Sequence, residues 1–274
     1  MNKLLSIAIS ASIKAGMEIL KIYNTDFEVE YKKDESPLTL ADRNAHDVIM
    51  TFLKETNIPV LSEEGRTIPF DERKNWEKLW IVDPLDGTKE FVKKNDEFTV
   101  NIALIKNCKP IMGVVYAPVL DELYYGDSES GSFKINNASK YIYNFQELKN
   151  NAQKLPLENS KQYMGIVASR SHLTQETADY IDRLKKEHSN IKLISKGSSL
   201  KICMVAEGVA DIYPRFAPTM EWDTAAGHAV VLCAGGRIVQ ANSPEDEVVY
   251  NKEDLLNPWF VVRLGVMEVL DSGF

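Results

Sequence analysis

The ten residues LWIVDPLDGT at 79–88 restrict the fold more than any other stretch, because an apolar run without alternation empties into two carboxylates, a proline, a glycine and a hydroxyl. Leu79, Trp80, Ile81 and Val82 read as a strand covered on both faces, within a sheet, and Pro84 and Gly87 forbid it from running on. Asp83 and Asp86 then share one tight turn. Two carboxylates that close repel each other and one pKa rises, unless a cation lies between them. Gly87 lets backbone approach a ligand closely, and a helix starting at Thr88 would turn its first N–H groups toward a phosphate. DPxDG is also ordinary turn chemistry. From these residues alone, a metal site and a plain acidic turn stand level.

A chain of 274 residues buries roughly three quarters of its unfolded surface, enough for one large domain or two closely packed halves. Hydrophobic residues at 44% and charged residues at 26% fit a soluble globular protein and name no functional class. The net charge of −8 argues against a nucleic-acid polymer as partner, since such binding needs basic surface. It leaves room for a small anionic substrate, because exposed charge is screened beyond roughly 8 Å and a few local cations then decide. Cys108, Cys203 and Cys233 are odd in number, widely spaced and without a neighbouring histidine; they read as reduced, packed thiols in a cytoplasmic protein. At the N-terminus, Leu4, Ala8, Ala11, Ala15, Ile19 and Ile22 recur at helical spacing while Ser6, Ser10, Lys14, Glu18 and Lys21 interrupt the apolar run. An amphipathic helix is expected there, neither a signal peptide nor a membrane span, and no later stretch is long and apolar enough to be one.

Along the chain, a short strand is expected at 28–31 and a polar loop up to Pro37. A helix then opens at Thr39, with Thr39 or Asp42 as its cap. Residues 59–62 read as a second strand that ends in acid, Glu63-Glu64-Gly65. Three further strands, 98–105, 111–116 and 122–125, suit an antiparallel meander, and 131–135 adds another. Residues 136–162 are polar and weakly patterned. They place a boundary between an N-terminal half, 1–155, and a C-terminal half, 156–274, with a shared interface. The second half alternates strand and helix: strands at 163–168, 191–194 and 209–213, helices at 174–186 and 199–207, and a buried helix opened by Asp223 and closed by Gly235-Gly236.

Glu63, Asp83, Asp86 and Asp223 each have a local explanation as a strand end, a turn or a helix cap. Together they form a set of oxygen donors, each following an apolar or aromatic segment and none beside an obvious Arg or Lys partner, which suits a hard cation better than zinc. The motifs SEEG at 62–65, WIVDPLDGT at 80–88 and EWDTAAGHAV at 221–230 resemble those of the inositol monophosphatase superfamily. SPLTLADRNAH at 36–46, DPLDGTKEF running on to EFTVNIAL, GVVYAPV at 113–119, GSSLK at 197–201 and YPRF at 213–216 are similar to its CysQ-type 3′(2′),5′-bisphosphate nucleotidases. These blocks run in family order over almost the whole chain.

The resemblance implies an α/β (α+β) fold, a layered sandwich of alternating helices and sheets of the inositol monophosphatase and fructose-1,6-bisphosphatase type. It implies Glu63, Asp83, Asp86, Asp223 and the Leu85 carbonyl as ligands for two or three Mg²⁺, with Glu63 counted among the catalytic groups. Asp42 and Thr88 would be a dyad that takes a proton from a water acidified by the metal; a Thr hydroxyl is a weak base until a carboxylate accepts its proton. Gly87, Thr88, His172, Ser198, Lys201, Arg215 and Asp223 would bind substrate, Arg as a planar fork for phosphate and Lys as a point charge. Read without the resemblance, Lys201 is a solvated helix residue and His172 a polar loop residue. The implied reaction is hydrolysis of adenosine 3′,5′-bisphosphate to AMP and phosphate, with 3′-phosphoadenylyl sulfate as a further substrate, in sulfate assimilation and with sensitivity to lithium. An inositol monophosphatase, a sugar bisphosphatase or an inactive metal-binding regulator are the alternatives. The expected assembly is a monomer or homodimer, with peripheral inner-membrane association left open.

Overall fold

The computed structural model describes residues 2–23, 25, 29–31, 37–158, 160–168 and 174–265, with the backbone course alone for 29–31 and 37–39. His172, the loop around it, and most of the polar loop before Pro37 lie outside the described residues. Within them the chain forms α1 (Lys3–Tyr23), a small hairpin of β1 (Val29–Tyr31) and β2 (Pro37–Thr39), α2 (Leu40–Leu53), β3 (Val60–Ser62), α3 (Phe70–Arg73), β4 (Lys78–Asp86) and α4 (Thr88–Val92). A meander follows: β5 (Thr99–Lys106), β6 (Lys109–Ala117), β7 (Glu122–Asp127) and β8 (Gly131–Asn136), then α5 (Phe145–Asn151) and β9 (Gln153–Lys154). The remainder is β10 (Met164–Ala168), α6 (Gln175–Glu187), β11 (Ile191–Ser195), α7 (Leu200–Glu207), β12 (Ile212–Arg215), α8 (Glu221–Cys233), β13 (Gly236–Gln240), β14 (Ser243–Glu247) and β15 (Phe260–Leu264).

One sheet has the order β3-β4-β5-β6-β7-β8-β9, with β3 and β4 parallel and every other pair antiparallel. The other runs β11-β10-β12-β15-β13-β14. Period-two alternation explains the layers. Trp80, Val82, Val100, Ile102, Val114 and Tyr116 turn one face of the first sheet toward Ile9, Ile13, Ile19, Ala45 and Ile49 of α1 and α2. Their neighbours in sequence, Leu79, Ile81, Ala103, Ile105 and Val115, face Leu200, Cys203, Ala226 and Val230 of α7 and α8, whose far side meets Val167, Tyr213, Phe260 and Val262 of the second sheet. Ile166, Ile212 and Val261 close the stack against Tyr180, Ile181 and Leu184 of α6. Helix pair, sheet, helix pair, sheet and helix therefore alternate, the layered α/β architecture expected from the sequence.

The first strand of consequence, β4, owes its lack of alternation to apolar cover on both faces: Leu79, Trp80, Ile81 and Val82 are all essentially buried. Helix α8 is sandwiched in the same way. From Thr224 to Val231 every residue is buried, which explains a run of Ala, Gly and Val with no polar stripe. It lies so close to β6 that a Cβ on Gly113 would sit 2.3 Å from the Ala226 carbonyl oxygen and 2.8 Å from the Ala229 Cβ. Gly113→Ala is therefore expected to lower stability by about 1–3 kcal/mol or more, as overpacking against rigid backbone does. Denaturant midpoints measure it; an unchanged midpoint would mean that α8 can move away without penalty.

Three expectations need correction. The second-half strand foreseen at 209–213 begins at Ile212 and runs through Pro214 to Arg215, because Ala210 and Asp211 use their N–H groups on Met204 and Gly165 instead of a ladder. The weakly patterned 136–162 contains α5, capped by the Asn144 side chain, which accepts the Glu147 N–H at 3.1 Å. Asp223 does not open α8: the helix starts at Glu221, and Asp223, in its third position, reaches back to accept the Met220 N–H at 2.8 Å.

Candidate metal centre and anion cleft

Each acid of the candidate site sits where regular structure ends. Glu63 follows β3 directly, and its N–H donates to the Val82 carbonyl at 3.1 Å, so the tip of β3 is tied to β4 beside Asp83. Between Asp83 and Asp86 the pairing of β4 with β5 slips register, which is how Pro84 and Leu85 are fitted within the strand. Asp83 Oδ1 accepts the Leu85 N–H at 3.1 Å and fixes that bulge. Gly87 follows at φ 93°, a left-handed conformation open to glycine, and starts the single turn α4. Asp223 arrives from the other end of the chain on α8.

Glu63, Asp83 and Asp223 each place a carboxylate oxygen within 4.8 Å of the other two. Asp83 is 1% exposed, and burial, then the charges of Glu63, Asp86, Asp223 and Asp42, hold its carboxyl well above the usual range. Enclosure and the charge of Asp86 push Asp223 up to about 8. Burial and mutual repulsion thus oppose ionisation of two of the three acids, and a bound cation would relieve both. The donor atoms fit one: they are all carboxylate oxygen, with neither His nor Cys in the cluster, the chemistry of a hard divalent ion.

A pH dependence follows. A carboxyl whose folded pKa lies above its unfolded value keeps a proton that unfolding releases, so it destabilises the fold as pH rises between the two. For Asp223 that window runs from about 4 to about 8. The melting temperature of chelator-treated protein is expected to fall across this range, and millimolar Mg²⁺ to remove most of the fall. A metal-free profile that rises steadily from pH 4 to 8 would contradict the clustering.

Asp86 stands apart from the trio. Its Oδ2 accepts the Ser199 N–H at 2.7 Å and hydroxyl protons from Ser198, Ser199 at 2.8 Å and Thr99 at 3.5 Å. The Ser199 hydroxyl also lies 2.7 Å from the Asp223 carbonyl, and Asn101 donates to it at 2.9 Å. One oxygen of Asp86 is thus fixed to the N-terminal turn of α7, joining the strand-tip acid to the α8 acid. Ser198 takes φ 52°, a strained conformation for a residue with a side chain, which marks the loop as held in place by these bonds. Asp42 is 1% exposed in the first turn of α2. The Thr88 hydroxyl donates to the Leu85 carbonyl at a long 3.4 Å.

Asp86, Gly87, Ser198, Lys201, Arg215 and Asp223 line one cleft. Lys201 is no solvated helix residue: it is 9% exposed, its Nζ donates to the Ser198 carbonyl at 2.6 Å and lies 5.8 Å from the Tyr213 ring centre. Burial lowers its pKa to about 8, with the charge of Asp86 opposing. Arg215 donates to the Pro218 carbonyl at 3.2 Å. Ser199, Thr99, Asn101 and Tyr213 carry no sequence expectation as site residues, although Thr99 and Asn101 left a trace as the two polar residues, one pleat apart, in the apolar strand FTVNIAL. His46 and His228 serve packing and hydrogen bonding. His46 Nδ1 is 3.0 Å from the Ser62 hydroxyl and His228 Nδ1 is 2.9 Å from the Tyr250 hydroxyl, burial holding His228 at about 3.

The layered α/β stack is also what comparison with known structures returns. The chain belongs to the inositol monophosphatase family, whose profile it matches over residues 1–261. Within the family it is similar to the 3′(2′),5′-bisphosphate nucleotidases CysQ of Salmonella typhimurium, 42% identical over 91% of this chain and 95% of the relative, and of Escherichia coli K12, 43% identical over the same shares. The crystal structure of CysQ from Bacteroides thetaiotaomicron superimposes with a TM-score of 0.87 at 53% identity, covering 94% of this chain and 96% of that one. No helix among the described residues is long and apolar enough to cross a membrane.

Proposed function

We propose that the protein is a magnesium-dependent phosphatase that removes the 3′-phosphate of adenosine 3′,5′-bisphosphate, giving AMP and phosphate, with 3′-phosphoadenylyl sulfate as a second substrate. The observation that carries this reading is that Asp223, a member of the carboxylate trio, also lines the cleft that holds the buried Lys201 and the half-buried Arg215. Relatives named as bisphosphate nucleotidases over nine tenths of the chain give the substrate class.

Glu63, Asp83 and Asp223, with Asp86 and the Leu85 carbonyl, would hold two or three Mg²⁺. Bound there, the ions supply positive charge to the phosphoryl oxygens and lower the pKa of the attacking water. The chain's own part is positional. Asp42 accepts the Thr88 proton, so that the Thr88 oxygen can in turn orient the water and accept its proton. The long bond from Thr88 to the Leu85 carbonyl is one that a χ1 rotation exchanges at little cost. Gly87 offers no side chain to block the phosphate, and Ser198 stiffens that wall through its bond to the Asp86 carbonyl at 3.1 Å. Lys201 and Arg215 receive the rest of the substrate's negative charge. His172 would join them.

Phosphate release from adenosine 3′,5′-bisphosphate, inositol 1-phosphate and fructose 1,6-bisphosphate, each with and without Mg²⁺ and added Li⁺, tests this. The bisphosphate nucleotide is expected to be preferred, with activity lost to chelation and reduced by Li⁺. A wide preference for inositol phosphate would transfer the protein to a different substrate class, and no turnover of any would leave a metal-binding protein.

A further inference from the structure

The cleft holds a third cation whose situation differs from that of the other two. Lys196, at the end of β11, lines the same cleft as Asp86, Lys201 and Asp223. Lys201 is almost wholly buried and its Nζ already serves the Ser198 carbonyl, while Arg215 serves the Pro218 carbonyl. The Lys196 ammonium instead lies 3.6 Å from the Glu97 carboxylate, beyond hydrogen-bonding distance, with 28% of its side chain and 14% of that of Glu97 exposed. An ion pair at that separation and exposure holds weakly.

Glu97 is the more constrained partner. Its N–H donates to the Asn95 side chain at 3.1 Å. A Cβ on Gly197, the residue after Lys196, would lie 2.8 Å from the Glu97 Cβ and 2.9 Å from its carbonyl oxygen, so only glycine lets the two segments meet. The main chain and Cβ of Glu97 are thus packed against the residue that follows Lys196, which fixes the base of the carboxylate, while the lysine reaches it on a long, flexible stem.

We propose that Lys196 is a specificity-determining residue that binds the second anionic group of the substrate, a phosphate dianion that is not hydrolysed, and that Glu97 is its resident competitor. A dianion attracts an ammonium more strongly than a single carboxylate and accepts shorter, charge-assisted hydrogen bonds. A substrate with a second phosphate therefore displaces Glu97 from Lys196, whereas a monoester leaves the pair intact and gains nothing from the lysine. This inference rests on the nucleotidase reading above and concerns its selectivity.

The test compares adenosine 3′,5′-bisphosphate with adenosine 3′-monophosphate by steady-state kinetics in Mg²⁺. In Lys196→Ala the ratio of kcat/KM for bisphosphate over monoester is expected to fall about 10-fold or more, mostly through KM for the bisphosphate, the size of a lost charge-assisted hydrogen bond. Lys196→Arg should recover most of it. Glu97→Gln should lower KM for the bisphosphate by releasing the lysine, and so widen its preference over the monoester. A wild-type enzyme that shows no preference for the bisphosphate defeats the nucleotidase reading itself. A preference that survives both Lys196→Ala and Glu97→Gln within twofold defeats this proposal and leaves that reading standing.

Discussion

Asp83→Asn is expected to lower Mg²⁺-dependent turnover by more than about 100-fold, since loss of even an outer-shell partner of a metal ligand costs about 10–100-fold. The same substitution should leave the chelated protein at least as stable as wild type. Asp83 is fully enclosed among Glu63, Asp86, Asp223 and Asp42, and its burial and their charges all oppose its ionisation. An amide of nearly the same shape removes that opposition. In wild type, an ion present at 100 times its Kd adds about 2.7 kcal/mol to stability, visible as a rise in melting temperature; in Asp83→Asn that rise should shrink or vanish. Calorimetry with and without Mg²⁺, beside a phosphate-release assay, checks both halves. A variant that unfolds without metal, or one that keeps its Mg²⁺ response, would return these residues to the status of an acidic turn.

Thr88→Ala separates chemistry from metal binding. Loss of a positioned proton acceptor costs about 100- to 10,000-fold in kcat, while the three clustered carboxylates are untouched, so the Mg²⁺-induced rise in melting temperature should persist. Structurally the residue does little: it is half-buried at the first position of α4, and its hydroxyl makes one long bond to the Leu85 carbonyl. Loss of stability with kcat retained would assign Thr88 to the turn and leave Asp42 without its partner.

Several features of this site were legible in the sequence because they are local. An unalternating apolar run next to Pro84 and Gly87 dictates a doubly covered strand with a break, and β4 has both. Alternation in 98–105 and 111–116 dictates neighbouring strands of a meander. Composition also marks α8, whose small residues permit the contact with Gly113. Other features were misread for an equally physical reason. Asp223 resembles a cap because caps and third-position acids both satisfy N-terminal N–H groups, and only the observed bond to Met220 separates them. Lys201 looks like a solvated helix residue until Tyr213, which lies on β12, brings its ring centre to within 5.8 Å of the ammonium and helps to cover it.

The sequence by itself determined where the chain must stop being strand or helix, and hence that carboxylates stand at those ends, because steric limits on Pro and Gly and the periods of two and 3.6 act over a few residues. It could not determine which of those carboxylates share a cation. That Asp83 meets Glu63 and Asp223, while one oxygen of Asp86 is taken by Ser198 and Ser199, depends on α8 settling on β6 and on α7 meeting the end of β4. Such contacts join positions more than a hundred residues apart, and their distances are set by side-chain volume and close packing across layers, quantities that no local pattern records.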